Sequence, residues 1–242
     1  MEKCPYNSIS AFEKFVNQDA FVCIMGKMAV GNGNYQFKKN GNMTHFQTAA
    51  MLCEALYVFI EERGIAQFSN ENLSKNNYIS FVAEFSNQNF SCEGEAAYSL
   101  HTLLYNMHQY DKNKGHRWFE GVSANPKSQD FSYCIGGEAF FIPFFHNQSA
   151  YGQRRYNHPL LVFNSHRMFQ ILRENGTFTK IRNKIRKKGI QEYAEVPKLL
   201  SDFGQGLEFP QYLLPKPENL ESRVWDSLSR IAGTKPFGEL MI

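Results

Sequence analysis

The sequence feature that most constrains the fold is a pair of apolar, aromatic-rich runs separated by two glycines. Phe131–Ile135 and Glu138–Phe145 flank Gly136-Gly137. A two-residue loop of glycines suits the primed turns of tight β-hairpins, because these turns need positive φ angles that glycine adopts at no steric cost. The sequence therefore predicts an antiparallel hairpin over residues 131–145.

Further strands and two long helices are predicted on either side of this hairpin. Leu160–Phe163 is apolar, and Tyr78–Phe85 alternates between apolar and polar residues, so both favour strands. Thr44–Gly64 is apolar on nearly every face, which predicts a central buried helix. Glu95–Tyr110 carries one apolar stripe, which predicts an amphipathic helix that packs through that stripe.

These segments predict an α+β fold in which an antiparallel sheet containing hairpin 131–145 packs against helices. The length is compatible with a single domain over residues 1–242. Ser10 is predicted to cap the first helix, and Asn164 to cap a helix over Ser165–Glu174. Strands that follow one another as hairpins argue against a parallel Rossmann sheet.

The segment that follows the hairpin carries candidate cofactor-binding residues. His146 stands where the second apolar run ends, and Ser149, Arg154 and Arg155 follow in a polar loop. His166 begins the helix after the third strand. A histidine in an aromatic setting with paired arginines nearby suits a buried cofactor that carries acidic groups. The alternative is a well-packed hairpin followed by an ordinary surface loop.

Three other features admit both a structural and a functional interpretation. Cys23 is either a buried structural cysteine or a ligand or nucleophile. His101 and His108 lie on one side of a helix, but a spacing of seven is too wide for both to bind one metal ion unaided. The basic run Lys180–Lys188 is either a solvated face or a surface that receives phosphate or carboxylate groups. We favour the structural interpretation in each case.

Composition and missing motifs limit the function classes. The five cysteines contain no C-x-x-C pair, so neither a disulfide framework nor a zinc ribbon is expected, and a reducing cytoplasm fits best. The longest apolar stretch, Phe46–Ile60, is too short to span a bilayer, and the first residues do not form an apolar signal-peptide run. A net charge of +3 does not argue for nucleic acid. Dinucleotide, P-loop, serine-hydrolase and zinc-protease motifs are missing from the sequence.

A family resemblance is carried by two consecutive stretches, GGEAFFIPFFHNQSAYGQRRY and HPLLVFNSHRMFQILRENGTFTKIRNKIRKK. Their order of histidine, serine, arginines and a VFN-x-H run resembles the YqcI/YcgG family. Phe21-Val22-Cys23 is similar to the family's FPC element, with Val22 in place of proline. The C-terminal matches are Gly204, Glu208, Gln211-Tyr212, Trp225 and Lys235-Pro236-Phe237, where lysine replaces the usual cysteine.

The resemblance implies haem chemistry, because this family includes haem-dependent enzymes that hydroxylate a guanidine or amino nitrogen. A cytoplasmic oxygenase would then use haem b, O₂, an electron donor and a small amine or amino-acid substrate. His146 is the expected axial ligand of the iron, with His166 second. Arg154 and Arg155, with Ser149 in the same loop, would bind the haem propionates. Glu138 could bind a cationic substrate. A homodimer is possible.

Two other functions remain open at this point. The chain could bind or handle haem without oxygenase turnover. It could also be a flavin-binding or other ligand-binding α+β module without haem. An absorption spectrum separates haem proteins from the last class.

Overall fold

The computed structural model describes residues 8–74 and 78–216. Its α-helices are α1 Ser8–Asn17, α2 Ile24–Gly31, α3 Phe46–Glu62, α4 Glu93–Asn113, α5 His166–Glu174, α6 Thr177–Tyr193 and α7 Phe209–Leu213. Its strands are β1 Tyr35–Lys39, β2 Ser80–Glu84, β3 Tyr133–Ile135, β4 Glu138–Phe141, β5 Phe144–Phe145 and β6 Leu160–Ser165. The predicted α+β class is confirmed. The sequence also predicts a short helix near Ser222–Ile231. That segment, like Trp225 and Lys235-Pro236-Phe237, lies outside the described residues.

The predicted hairpin is present as β3 and β4. Both turn glycines have positive φ, 62° at Gly136 and 77° at Gly137, as a type I′ turn requires. The register pairs Tyr133 with Phe140 and Ile135 with Glu138. Local turn chemistry and the two apolar runs therefore suffice to specify this part of the fold.

The second apolar run forms two short strands instead of one. β4 pairs with β6 through Phe141 and Asn164, and β5 pairs with β6 through Phe144 and Leu161 in the same register. Pro143 lies between the two strands and has no N–H to donate, so the ladder is interrupted there. The carbonyl oxygen of Pro143 still accepts a hydrogen bond from the N–H of Val162 at 3.1 Å.

The six strands form one sheet in the order β1-β2-β6-β4-β3, with β5 also pairing with β6. All pairs are antiparallel except β1 with β2, which are parallel. The sheet is thus antiparallel as predicted over the hairpin and β6. The parallel edge strand β1 was not predicted, because its sequence YQFKK contains only two aromatic residues and no aliphatic one, which is a weak strand pattern.

One face of the sheet packs against α3 and α4 and forms the largest core. The ring of Phe59 in α3 lies 5.5 Å from that of Phe81 in β2, and Phe81 in turn contacts Phe163 in β6 at 6.1 Å. The predicted packing of the Phe46–Ile60 helix on the sheet is confirmed. None of the described helices has the length and apolar character that a membrane span requires.

Three details of the predicted helices are wrong. α3 is not buried on all sides: Phe46, Met51 and Val58 are about half exposed, because only one side of this outer-layer helix meets α4 and the sheet. Ser165, and not Asn164, caps α5, since its Oγ accepts a hydrogen bond from the N–H of Met168 at 3.3 Å. Ser10 is not an N-cap, because it lies inside α1.

Asp111 near the end of α4 connects three elements. Its Oδ1 accepts hydrogen bonds from the hydroxyl of Tyr57 in α3 at 2.8 Å and from the N–H of Gly136 in the hairpin turn at 2.9 Å. The side chain is 5% exposed, and burial raises the pKa of its carboxyl group. A single carboxylate thus fixes the hairpin turn to both outer helices.

Asp111→Ala is expected to lower the free energy of unfolding by about 2–4 kcal/mol, because two partly buried donors lose their acceptor. Asp111→Asn is the matched control, since it retains a carbonyl oxygen at this position and should lose less. Urea unfolding of both variants measures the difference. Equal losses in the two variants would show that the acceptor is not what matters.

Candidate functional site

A cavity lies between the sheet and helices α1, α2, α5 and α6, on the face away from α3 and α4. Val82 in β2 and Val162 in β6 form its floor, because they alternate with Phe81 and Phe163, which point into the core. Its volume is about 280 Å³. Most lining side chains are apolar or aromatic: Phe12, Phe15, Val16, Phe21, Met25, Tyr35, Tyr78, Phe141, Phe145, Leu160, Met168, Phe169, Phe178, Ile181, Ile185 and Phe203.

A smaller set of polar side chains also lines this cavity. Its members are Cys23, Ser80, Gln153, Arg154, Asn164, His166, Arg173, Arg182, Arg186, Ser201, Asp202, Glu208 and Gln211. Four arginines and two carboxylates therefore face a largely apolar space. An aromatic cavity with a few polar groups and excess positive charge is suited to a mostly apolar ligand that carries acidic groups.

His166 lies on the cavity wall at the junction of β6 and α5. Its side chain is 4% exposed, and its ring packs edge-on against Phe203 at 4.4 Å. Burial, together with the charges of Arg173 and Arg167, lowers its pKa to about 4. Within the described part of the chain its ring takes part in no hydrogen bond. The imidazole is therefore neutral near pH 7 and can offer a nitrogen lone pair to a ligand or a metal.

His146 occupies a different environment. Its ring is fully buried between Phe144 at 4.8 Å and Phe90 at 5.9 Å, and it does not line the cavity. Both ring nitrogens lack a hydrogen-bond partner. Burial and the charge of Arg154 lower its pKa to about 4. The assignment of His146 as an iron ligand stays a prediction.

The two adjacent arginines point to different places. Arg154 lines the cavity and donates to the carbonyl oxygens of Phe144 at 3.3 Å and Tyr212 at 3.4 Å. Burial lowers its pKa to about 10. Arg155 lies outside the cavity lining, and its Nε donates to the carbonyl oxygen of Ser149 at 2.9 Å. The hydroxyl of Ser149 is buried without a partner. Of the five predicted cofactor-binding residues, the structure thus brings only Arg154 and His166 to the cavity.

Sequence analysis missed Arg173, which lies on the cavity wall beside His166. Its guanidinium group lies over the ring of Phe178 at 4.7 Å and that of Phe203 at 5.7 Å. Its Nε is buried and has no hydrogen-bond partner. The sequence could have indicated this residue, because His166 and Arg173 are seven positions apart and residues with that spacing share one face of a helix.

Glu208 was known only as a family match, and the structure places it on the cavity wall. It is 5% exposed, and burial raises the pKa of its carboxyl group to about 7. The hydroxyl group of Tyr212 donates to Glu208 Oε1 at 2.6 Å. Glu138, the carboxylate that the sequence suggested, is instead ion-paired with Arg167 at 3.1 Å and does not line the cavity.

The remaining candidates have structural contacts. Cys23 caps α2 by accepting a hydrogen bond from the N–H of Gly26 at 3.3 Å, and burial raises the pKa of its thiol, which disfavours a thiolate nucleophile. His101 stacks on Phe209 at 5.2 Å, whereas His108 meets Trp118 at 5.7 Å. Among the described residues, no group of three histidine, cysteine or acidic side chains could hold a metal ion.

The basic helix α6 combines both predicted interpretations. Lys184 and Lys187 are exposed, as a solvated face requires. Arg182 and Arg186 instead line the cavity; Arg182 is ion-paired with Asp202, and Arg186 donates to the carbonyl oxygen of residue 200 at 3.4 Å. Both cavity-lining arginines of α6 are therefore engaged by the chain itself, as Arg154 is.

Comparison with curated proteins and with solved structures gives no match. Residues 12–224 match the YqcI/YcgG family. The match includes the hairpin, β6, α5 and α6, and every residue that lines the cavity falls within the matched range. The chain belongs to the YqcI/YcgG family.

Proposed function

We propose that this protein binds haem b in the cavity and uses it, with O₂ and an electron donor, to hydroxylate a nitrogen of a small amine, guanidine or amino acid. The observation that carries the proposal is His166, a buried and neutral imidazole without an internal hydrogen bond on the wall of an aromatic cavity. A histidine of this kind is a common axial ligand of haem iron. The family resemblance supports the same chemistry.

The side chains present fit a haem. Flat aromatic and aliphatic walls suit the macrocycle, and Arg173 has a buried Nε without a partner that suits a carboxylate. His166 would hold the iron, and Arg154, already satisfied in part by two carbonyl oxygens, would add positive charge nearby. The haem, when bound, supplies the oxygen chemistry.

The chain's own residues would position the substrate. Glu208 is the carboxyl group on the cavity wall whose pKa, about 7, lets it hold or release a proton near neutral pH. Deprotonated, it pairs with a cationic amine or guanidine, and the apolar walls exclude water from the same space.

The test is the absorption spectrum of the protein expressed with excess haem precursor. A Soret band that co-purifies with the chain is expected, and its absence would refute haem binding. Turnover is then measured with O₂, a reductant and a panel of amines and amino acids. A Soret band without hydroxylated product would indicate a haem-handling protein, whereas flavin absorption would indicate a non-haem ligand-binding module.

A further inference from the structure

Four arginines line the cavity, and they differ in the hydrogen-bond and ion-pair partners that they already have within the chain. Arg182 is ion-paired with Asp202, Arg186 donates to a backbone carbonyl oxygen, and Arg154 donates to two. Arg173 takes part in no hydrogen bond or ion pair within the described residues. An arginine that the chain leaves unpaired in a partly desolvated position is costly unless a ligand compensates it.

The surroundings of Arg173 hold its guanidinium group in place without neutralising it. The guanidinium carbon lies over the rings of Phe178 and Phe203, at 4.7 and 5.7 Å from their centroids. These contacts restrict the side chain while its N–H groups stay available. The carboxylates of Glu208 and Asp202 act on Arg173 only through longer-range charge interactions. Asp202 is engaged by Arg182, and Glu208 accepts the hydroxyl hydrogen of Tyr212.

From this arrangement we infer that Arg173 is the receptor for a carboxylate on the ligand of this cavity. The ligand is then apolar over most of its surface and carries its acid group at the α5 side, where Arg173 projects from the same helix face as His166. If the acid group is a haem propionate, this inference rests on the proposed function. The substrate is the other source of a carboxylate.

The test uses two dyes with the same aromatic skeleton. Anilinonaphthalene sulfonate carries an acid group, and N-phenylnaphthylamine does not. The wild-type protein is expected to bind the sulfonate more tightly than the neutral dye. Arg173→Met should weaken sulfonate binding by roughly 10-fold or more, since hydrogen bonds to charged groups are the strong ones, and should leave the neutral dye unchanged.

Three variants serve as controls. Arg173→Lys keeps the charge and should lose less than Arg173→Met. Arg155→Met removes an arginine outside the cavity lining and should change neither dye. Val162→Trp fills the cavity floor and should weaken both dyes. A sulfonate signal that survives Val162→Trp, equal loss of both dyes in Arg173→Met, or no loss of either would each overturn the assignment.

Titration with haemin and with haemin dimethyl ester then identifies the source of the acid group. If Arg173→Met weakens haemin but not the ester, Arg173 binds a haem propionate. If haemin binds both proteins equally while the dyes distinguish them, the carboxylate belongs to the substrate. If the wild-type protein binds the sulfonate through Arg173 but binds no haemin, the proposed function fails and the acid-group site stands.

Discussion

Lowering the pH from about 7 to about 4 is expected to remove about 3 kcal/mol from the free energy of unfolding through His101 alone. This side chain is 4% exposed, and burial lowers its pKa from 6.5 to about 3. In the unfolded chain His101 takes up a proton as the pH falls below 6.5, whereas in the folded chain it stays neutral until about pH 3. Its contribution to stability is therefore complete above the unfolded pKa and is lost as the pH falls.

Urea unfolding at a series of pH values measures this effect, with His101→Leu as the matched variant. Leucine fills a similar volume against Phe209 and has no proton to bind. The variant should therefore lose about 3 kcal/mol less than the wild type over the same pH range. His101 does not line the cavity, so cofactor content does not confound the comparison. Parallel curves for the two proteins would contradict the prediction.

His166→Ala is expected to raise the Kd for haem by about 100-fold or more. Even the loss of a group that only orients a metal ligand costs 10- to 100-fold in affinity, and this variant removes the proposed ligand itself. Haem titration followed by the Soret absorption measures the change. Free imidazole should restore the spectrum of the variant by filling the space that the ring leaves.

His146→Phe is the matched comparison, because the structure and the sequence favour different histidines. His146 is enclosed by Phe90 and Phe144 with both nitrogens unpaired, so phenylalanine should leave the melting temperature equal or higher and haem affinity unchanged. The opposite result, haem lost in His146→Phe and kept in His166→Ala, would assign the iron to His146. A cooperative melt in both variants excludes unfolding as the cause.

The sequence indicated which segment carries the candidate site residues, but it could not tell which of their side chains share one cavity. The chemistry of the segment after the hairpin was recognisable, and Arg154 and His166 do line the cavity. Arg154, however, ends a short 3₁₀ turn, Gly152–Arg154, and Arg155 leaves this turn in extended backbone. The two neighbouring side chains therefore reach different places, and of the two only Arg154 lines the cavity. Arg173 was within reach of a sequence argument through its helical spacing from His166. The cavity position of Glu208 was not, because α7 meets the sheet only in the folded chain.

The sequence by itself determined the elements whose signals are local. The paired glycines specify a turn with positive φ at Gly136 and Gly137, and the apolar runs around them specify strands that pair with their neighbours. The amphipathic stripe of Glu95–Tyr110 likewise specified most of α4. Each of these signals acts between residues a few positions apart, so no knowledge of the rest of the chain is needed to interpret it.

Only the tertiary structure decided what these elements enclose. β1 pairs with β2 in parallel through residues 45 positions apart, such as Tyr35 with Ser80. The helix α3 keeps apolar side chains in solvent because only one of its sides packs on the sheet. The cavity brings His166 and Arg173 of α5 against the floor of β2 and β6 and the carboxyl group of Glu208. Such contacts depend on how whole layers pack, because the side chains that meet there are distant in the chain.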